Sequence, residues 1–362
     1  MAVDKGIVLV GALGETVTFP SAGRAYAYNE TTGALISVMP NPEPETDAEF
    51  GTSVALSNGI AAIGAPGENV GSVVQAGKVY TFNVTTGQLL KTIPCPSGPD
   101  TSGDYFGHAV AVSGNDLIVG AYNWRENQTV RDIGQAYIYN LKTGKLLFTL
   151  NDPLPNVGEG GDSFGIAVSI SGNLALVGAP NEYEGQNVLV GDAYLFNATT
   201  GAYLRDLPNP EVYPSDYGGS VAIDGSTAVV GAPIWNNYEG AAYVFNAQTG
   251  TLTATLLPPK DAHYQDYGFS VAITSNLIIV GSYEVHVTVH VGDKVKHYAG
   301  AGKVYTYNIN TDALDKTLKS LNPQKGGNFG ISVTGNGNTA IVGAWGEGNS
   351  TDPQCGFAYI FP

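Results

Sequence analysis

Apolar residues along this chain come in short runs of about five to eight positions, often alternating with polar ones, and the runs are broken by Asn, Gly, Ser and Thr. Alternation with period two predicts β-strands, and the breaks predict tight turns. No stretch sustains a helical period. The run from Phe50 to Pro66, "FGTSVALSNGIAAIGAP", holds two such strands and one turn, and it recurs. Related runs start at Phe106 ("FGHAVAVSGNDLIVGAY"), Phe164 ("FGIAVSISGNLALVGAP"), Tyr217 ("YGGSVAIDGSTAVVGAP"), Tyr267 ("YGFSVAITSNLIIVGSY") and Phe329 ("FGISVTGNGNTAIVGAW"). A seventh copy, "MAVDKGIVLVGA", opens the chain without the leading aromatic-Gly pair.

A second signature follows each first one, as in "GRAYAYNETTGALISV", "GKVYTFNVTTGQLLKTI" and "GQAYIYNLKTGKLLFTL", and the last unit stops at "GFAYIFP". The spacing of roughly 50–60 residues is the long period of propellers or solenoids. Seven units follow, at about residues 1–49, 50–105, 106–163, 164–216, 217–266, 267–328 and 329–362, forming one closed repeat domain. Each unit predicts four strands. The first two are joined by turns such as "SNG", the last two by "N-x-x-T-G", in which Asn bonds its own backbone and Gly takes positive φ. The loops between strands two and three are long and variable.

In the first strand the alternation puts Phe50, Thr52 and Val54 on one face and Gly51, Ser53 and Ala55 on the other. Bulky faces can then pack against small ones in neighbouring sheets. Ser53, Ser220, Ser270 and Ser332 could be taken for nucleophiles, but Ala109 and Ala167 hold the equivalent place, so the position is assigned to packing.

The order "FG-x-S-V-A", then "V-G-A-P", then "G-x-A-Y-x-F" resembles the FG-GAP repeat of integrin-alpha-type propellers over nearly the whole chain. The resemblance implies an all-β, seven-bladed β-propeller of four-stranded antiparallel blades around a central channel, the last blade lacking its outer strand in this chain. Adhesion receptors, lectins and modules attached to enzymes share this architecture, so fold alone does not choose a function. Integrin-type blades often carry a calcium loop D-x-D-x-D-G between the first two strands. Here that connection is too short and too poor in carboxylates. No metal, cofactor or catalytic residue is therefore expected, and the acids before the aromatic-Gly pair (Glu49, Asp104, Asp162, Asp216 and Asp266, with Asn328 in the last unit) read as turn-forming acceptors.

Sixteen basic against thirty-two acidic residues give a net charge of −16, which argues against nucleic acid or an anionic membrane as partner. No apolar run is long enough to span a bilayer, so membrane insertion is not expected. The chain enters its repeat without a signal segment, which a removed signal, an excised fragment or a cytoplasmic protein would each explain. Cys95 and Cys355 come from the second and seventh units, and a disulfide between them would need long reaching loops. Asn29, Asn83 and Asn197 begin glycosylation triplets, yet Asn140, Asn246 and Asn308 hold the same turn without one. Asn127 and Asn349 lie in variable loops and are the more informative candidates.

Antiparallel order puts the strand 2–3 loops at the same end of each blade as the connectors between blades. Trp124, Trp235, Trp345, Tyr183 and Tyr283 all enter those loops. Aromatics there can stack on sugar rings or anchor a protein; they would equally serve to plug the channel mouth or cover the loop bases. The sixth unit adds "EVHVTVHVGDKVKHYAG", a predicted hairpin turning at Gly292-Asp293, with His290 opposite Val295 and Thr288 opposite His297. His286, His290 and His297 then share one side. His286 and His290 stand roughly 13 Å apart, too far for joint ligation, whereas either could pair with His297. A solvated hairpin contacting a partner is the simpler reading.

No nucleophile elbow, zinc-protease or phosphate-loop motif is present. The expected function is a secreted or cell-surface, lectin-like or adhesion module recognising a glycan or an extracellular protein through the loop face. The alternative is a structural subunit of an extracellular assembly, self-assembling through the incomplete seventh blade, whose unpaired edge invites another strand. A polysaccharide-acting enzyme with a motif-free site is the third reading.

Overall fold

Each sequence repeat folds into one antiparallel sheet whose strands pair in chain order. The computed structural model describes the chain except for residues 97–101, 126–132, 156–160, 185–187, 212, 260–264, 292–293 and 350–354. It divides into two compact units, Met1–Val212 and Tyr213–Pro362. The first holds four blades. Blade 1 is Ala2–Asp4, Ile7–Ala12, Arg24–Asn29 and Leu35–Pro40; blade 2 is Val54–Ser57, Ile60–Ala65, Lys78–Asn83 and Leu89–Pro94. Blade 3 is Ala109–Ser113, Asp116–Ala121, Gln135–Asn140 and Leu146–Asn151; blade 4 is Ala167–Ser171, Leu174–Ala179, Asp192–Asn197 and Tyr203–Asp206.

The second unit holds three blades. Blade 5 is Ser220–Asp224, Thr227–Ala232, Ala241–Asn246 and Thr251–Leu256, and blade 6 is Ser270–Ile273, Leu277–Ser282, Lys303–Asn308 and Leu314–Lys319. Blade 7 has only Phe329–Asn336, Thr339–Ala344 and Phe357–Phe361. The fold is a seven-bladed β-propeller whose last blade has three strands. Blade 1 is complete although it lacks the aromatic-Gly pair, because Ala2–Asp4 supplies its inner strand. The single helical segment among the described residues, Trp235–Tyr238, holds left-handed Asn236, Asn237 and Tyr238.

The aromatic-Gly pair opens the strand only in blade 7, at Phe329–Asn336, although the faces expected from alternation hold in blade 2, with Phe50 and Val54 in one cluster and Ala55 in the next. In blade 2 the strand begins only at Val54, and Phe50–Ser53 form a turn in which Gly51 has φ of 97° and Thr52 N–H donates to the Glu49 carbonyl at 3.1 Å. The preceding acids also separate into two classes. Glu49, Asp216, Asp266 and Asn328 directly precede the aromatic and take positive φ, whereas Asp104 and Asp162 stand one residue earlier and are fully buried. A side chain at the second position is a core group, so Asp104 and Asp162 stand apart from the exposed turn that the sequence pattern suggests for all of them.

The interlocking of bulky and small faces is present. Phe50, Tyr80 and Phe82 of blade 2 form one buried cluster with Ala25, Ala27 and Met39 of blade 1. Phe164, Tyr194 and Phe196 of blade 4 sit likewise with Ala136, Ile138 and Leu150 of blade 3. The serines follow suit: Ser53, Ser220 and Ser270 donate through Oγ to the carbonyls of Gly107, Gly268 and Gly330 in the next blade, at 2.6, 2.7 and 2.8 Å.

Behind these contacts lies a close approach of backbones. A Cβ built on Gly64, in the second strand of blade 2, would lie 1.9 Å from the Gly107 carbonyl oxygen of blade 3. Gly11, Gly120, Gly231 and Gly281 meet Gly51, Gly165, Gly268 and Gly330 in the same way. The Gly of "V-G-A" and the Gly of the aromatic-Gly pair are thus two halves of one contact.

The "N-x-x-T-G" turns hold as expected. Asn29 Oδ1 accepts from the backbone N–H groups of Thr31 and Thr32, and Asn83, Asn197 and Asn246 repeat the arrangement. Turn geometry therefore accounts for Asn at these positions whether or not a glycosylation triplet follows. Asn349 is exposed, and Asn127 lies outside the described residues. Neither Cys95 nor Cys355 is in a disulfide.

Two substitutions test this packing. Gly64→Ala forces backbone apart and is expected to abolish soluble folded protein, read by expression and circular dichroism. Phe164→Ala empties a filled site and is expected to cost about 3–5 kcal/mol in denaturant melts.

Candidate functional site

In each blade the second strand ends in Gly-Ala or Gly-Ser, and the loop to the third strand begins there. The base of that loop is built the same way throughout. The third residue after the strand end offers its carbonyl to the N–H of the Gly that opens the third strand: Glu15 to Gly23 at 3.0 Å, Glu68 to Gly77 at 2.9 Å, Trp124 to Gly134 at 3.1 Å. Glu182 with Gly191, Trp235 with Gly240, Val285 with Gly302 and Glu347 with Gly356 complete the set. Each loop is pinched shut at its root.

The register places the five candidate aromatics at three different positions. Tyr283 and Trp345 directly follow the strand, Trp124 and Trp235 take the third place, and Tyr183 the fourth. Trp124 is half-buried against the cluster of Phe106, Tyr137 and Tyr139. Trp235 opens the left-handed segment of blade 5. Tyr283 lies edge-on to Phe269 at 4.5 Å, and burial, helped by Asp266 beside its hydroxyl, holds the phenol protonated well above its ordinary range. Trp345 is 60% exposed. In blade 6 the inserted hairpin forms as Val287–Val291 and Lys294–Tyr298, with the expected pairs His290–Val295 and Thr288–His297. Thr288 Oγ1 lies 2.9 Å from His297 Nδ1; the Gly292-Asp293 turn and the His290 side chain lie outside the described residues.

The third position after the strand carries chemistry that the sequence reading missed. Where it is Glu, it faces the tyrosine of the "A-Y-x-F" strand. Tyr26 donates to Glu15 Oε2 at 2.6 Å, Tyr80 to Glu68 Oε2 at 2.5 Å, and Tyr359 to Glu347 Oε2. Two of these glutamates have a built-in cation from the first residue of the third strand: Arg24 Nη1 lies 2.7 Å from Glu15, and Lys78 Nζ lies 3.3 Å from Glu68 and 2.9 Å from Glu43. Glu68 is fully buried. Burial outweighs Tyr80 and Lys78 and pushes its carboxyl up to about 7.

Blade 4 differs. Glu182 and Tyr194 keep their places, but the residue corresponding to Arg24 and Lys78 is Asp192. Asp152, just past the last strand of blade 3, and Asp162, just before Phe164, join Glu182, so that one carboxylate oxygen from each lies within 4.8 Å of the others, all three residues being buried. At the junction of blades 2 and 3 the same places hold Cys95, Asp104 and Trp124; at that of blades 1 and 2, Asn41, Ala48 and Glu68. The legible signal was the "G-A-x-x-E" spacing shared by Glu15, Glu68, Glu182 and Glu347. The convergence of Asp152 and Asp162 upon it was not legible, because it depends on which blades are neighbours.

Removing a built-in cation tests this arrangement. Lys78→Gln leaves Glu68 buried without its cation, with an expected loss of about 3–5 kcal/mol at a pH well above 7, where the carboxyl is ionised. That loss should shrink as pH falls through about 7, since Glu68 then takes up a proton and sheds the charge that needed Lys78. Denaturant melts across pH read both effects.

A family model of the FG-GAP repeat matches residues 42–82, 100–139, 154–196, 215–245 and 317–361, more than half of the chain. No curated protein matches it. The matched stretches include both glycines of the Gly64–Gly107 and Gly120–Gly165 contacts and most of the loop-base residues described above, and with more than half of its length matched the chain belongs to the FG-GAP repeat family.

Proposed function

We propose that the chain is a binding module of the adhesion type, acting outside the cell or at its surface, and that it takes a glycan or a protein on the blade ends that carry the strand 2–3 loops. The observation that carries the reading is Trp345. It is 60% exposed while Ala344 beside it is fully buried, so a rigid strand holds a large aromatic out to solvent. A pre-positioned indole loses little freedom on binding and offers both apolar area and a hydrogen-bond donor. The loops themselves vary on a constant frame, from the short left-handed segment of blade 5 to the hairpin of blade 6. Such variation over a fixed scaffold is how recognition surfaces are usually carried. The reading is of binding rather than catalysis, and family membership supports the extracellular setting without naming a ligand.

A second reading, a subunit of an assembly, is favoured by blade 7. Its outer strand, Phe357–Phe361, has no further partner strand among the described residues, and Phe357 and Ile360 on it are exposed. Exposed apolar edges template strand addition.

A glycan-array screen of the wild-type chain beside Trp345→Ala and Trp124→Ala tests the first reading. Trp345→Ala is expected to abolish binding and to change stability by no more than about 0.5 kcal/mol, as at other surface positions, whereas Trp124→Ala is expected to cost about 1–3 kcal/mol through lost packing. Silence of the folded wild type on glycans, with growth in size as concentration rises, would favour the assembly.

A further inference from the structure

We propose that Asp152, Asp162 and Glu182, with the Tyr194 hydroxyl beside them, form a binding site for a hard divalent cation of calcium size at the junction of blades 3 and 4. The donors are all oxygen, and their spacing suits such an ion. Calcium–oxygen bonds run about 2.3–2.6 Å, so oxygens sharing one ion stand up to roughly 5 Å apart, and the three carboxylates meet that bound at 4.8 Å. Magnesium needs a tighter octahedron and fits less well.

The surroundings call for a cation. Asp152 and Glu182 are 7% and 6% exposed. Asp152 Oδ1 accepts from the Leu154 N–H at 2.8 Å, but its Oδ2 and the Oε2 of Glu182 have no hydrogen-bond partner among the described residues. Tyr194 is fully buried, and its hydroxyl, turned toward Glu182, has no hydrogen-bond partner of normal geometry among the described residues. Buried carboxylates left this way carry a large desolvation cost unless something neutralises them. Blades 1 and 2 solve that problem with Arg24 and Lys78. Blade 4 puts Asp192 at the same register position, which adds negative charge where its siblings have positive. Burial, then the charges of Asp152, Asp162 and Asp192, raise Glu182 well above the usual carboxylate range, and burial raises Asp152 as well.

The ion would tie together three chain segments: the end of blade 3, the approach to Phe164, and the root of the loop that carries Tyr183. The site stands apart from the strand 1–2 connection, where calcium is not expected. It is also independent of what the loops recognise.

The test uses the intact chain, stripped with a chelator, and calcium chloride as the probe. Calorimetry is expected to show one calcium per chain, and the melting temperature to rise by several degrees, since a ligand of the folded state alone stabilises it by mass action. Both effects should disappear in Glu182→Gln and Asp152→Asn and persist in Glu15→Gln, the same position in blade 1. Affinity should weaken from about pH 8 to about pH 5 as protons compete with the ion for Glu182 and Asp152, which face Asp162 and Asp192. Terbium, which emits when excited through a nearby tyrosine, reads the wild-type site without any variant, and calcium should quench that emission. A calcium response that survives in both variants overturns the proposal. So does a wild-type chain that shows neither a calcium response nor displaceable terbium emission, its carboxylates then sharing a proton instead.

Discussion

The architecture depends on backbone meeting backbone between neighbouring blades. Where Gly64 stands, even a methyl group would collide with the Gly107 carbonyl, and the same contact recurs at Gly11, Gly120, Gly231 and Gly281. Only at that separation can Ser53 Oγ reach the next blade's carbonyl and Phe50 fill the space over Ala25 and Ala27. The hydrophobic term is large, but it is non-directional. The glycine contact and the serine hydrogen bond set the distance at which it acts.

With the blade spacing fixed, polar groups near the connectors are trapped between sheets, and each junction must neutralise its own. Glu15 and Glu68 do so through Arg24 and Lys78, Glu347 takes a hydrogen bond from the uncharged Tyr359 hydroxyl instead, and blade 3 replaces the acid by Trp124. The repeat thus conserves geometry while its charge balance varies from junction to junction. Blade 4, with acids in every one of these places, is the extreme of that variation.

Much of this was open to reading from the chain. The seven units, the strand order, the Asn turns and the register of the Val287–Tyr298 hairpin all follow from period and turn chemistry, which are local properties. The aromatic-Gly pair was misplaced by the same logic, because alternation assigns Phe50 and Gly51 to a strand whereas the positive φ of Gly51 puts them in a turn. The split of the acids into two classes was hidden for a different reason. Asp104 and Glu49 look alike in a sequence window, yet one residue of offset sends the first into the core and leaves the second in the left-handed turn. Asp152 and Glu182 lie in different repeats, and only the stacking of blades brings them together.

The hydrogen bond at the root of each strand 2–3 loop has a consequence for how such a chain can diversify. Val285 and Gly302 keep it at 2.9 Å although a whole hairpin is inserted between them, and Trp235 and Gly240 keep it at 3.0 Å across a much shorter span. Sequence beyond that bond is insulated from the frame. New segments can therefore be grafted there, by evolution or by an engineer, with the host scaffold unaware of their length.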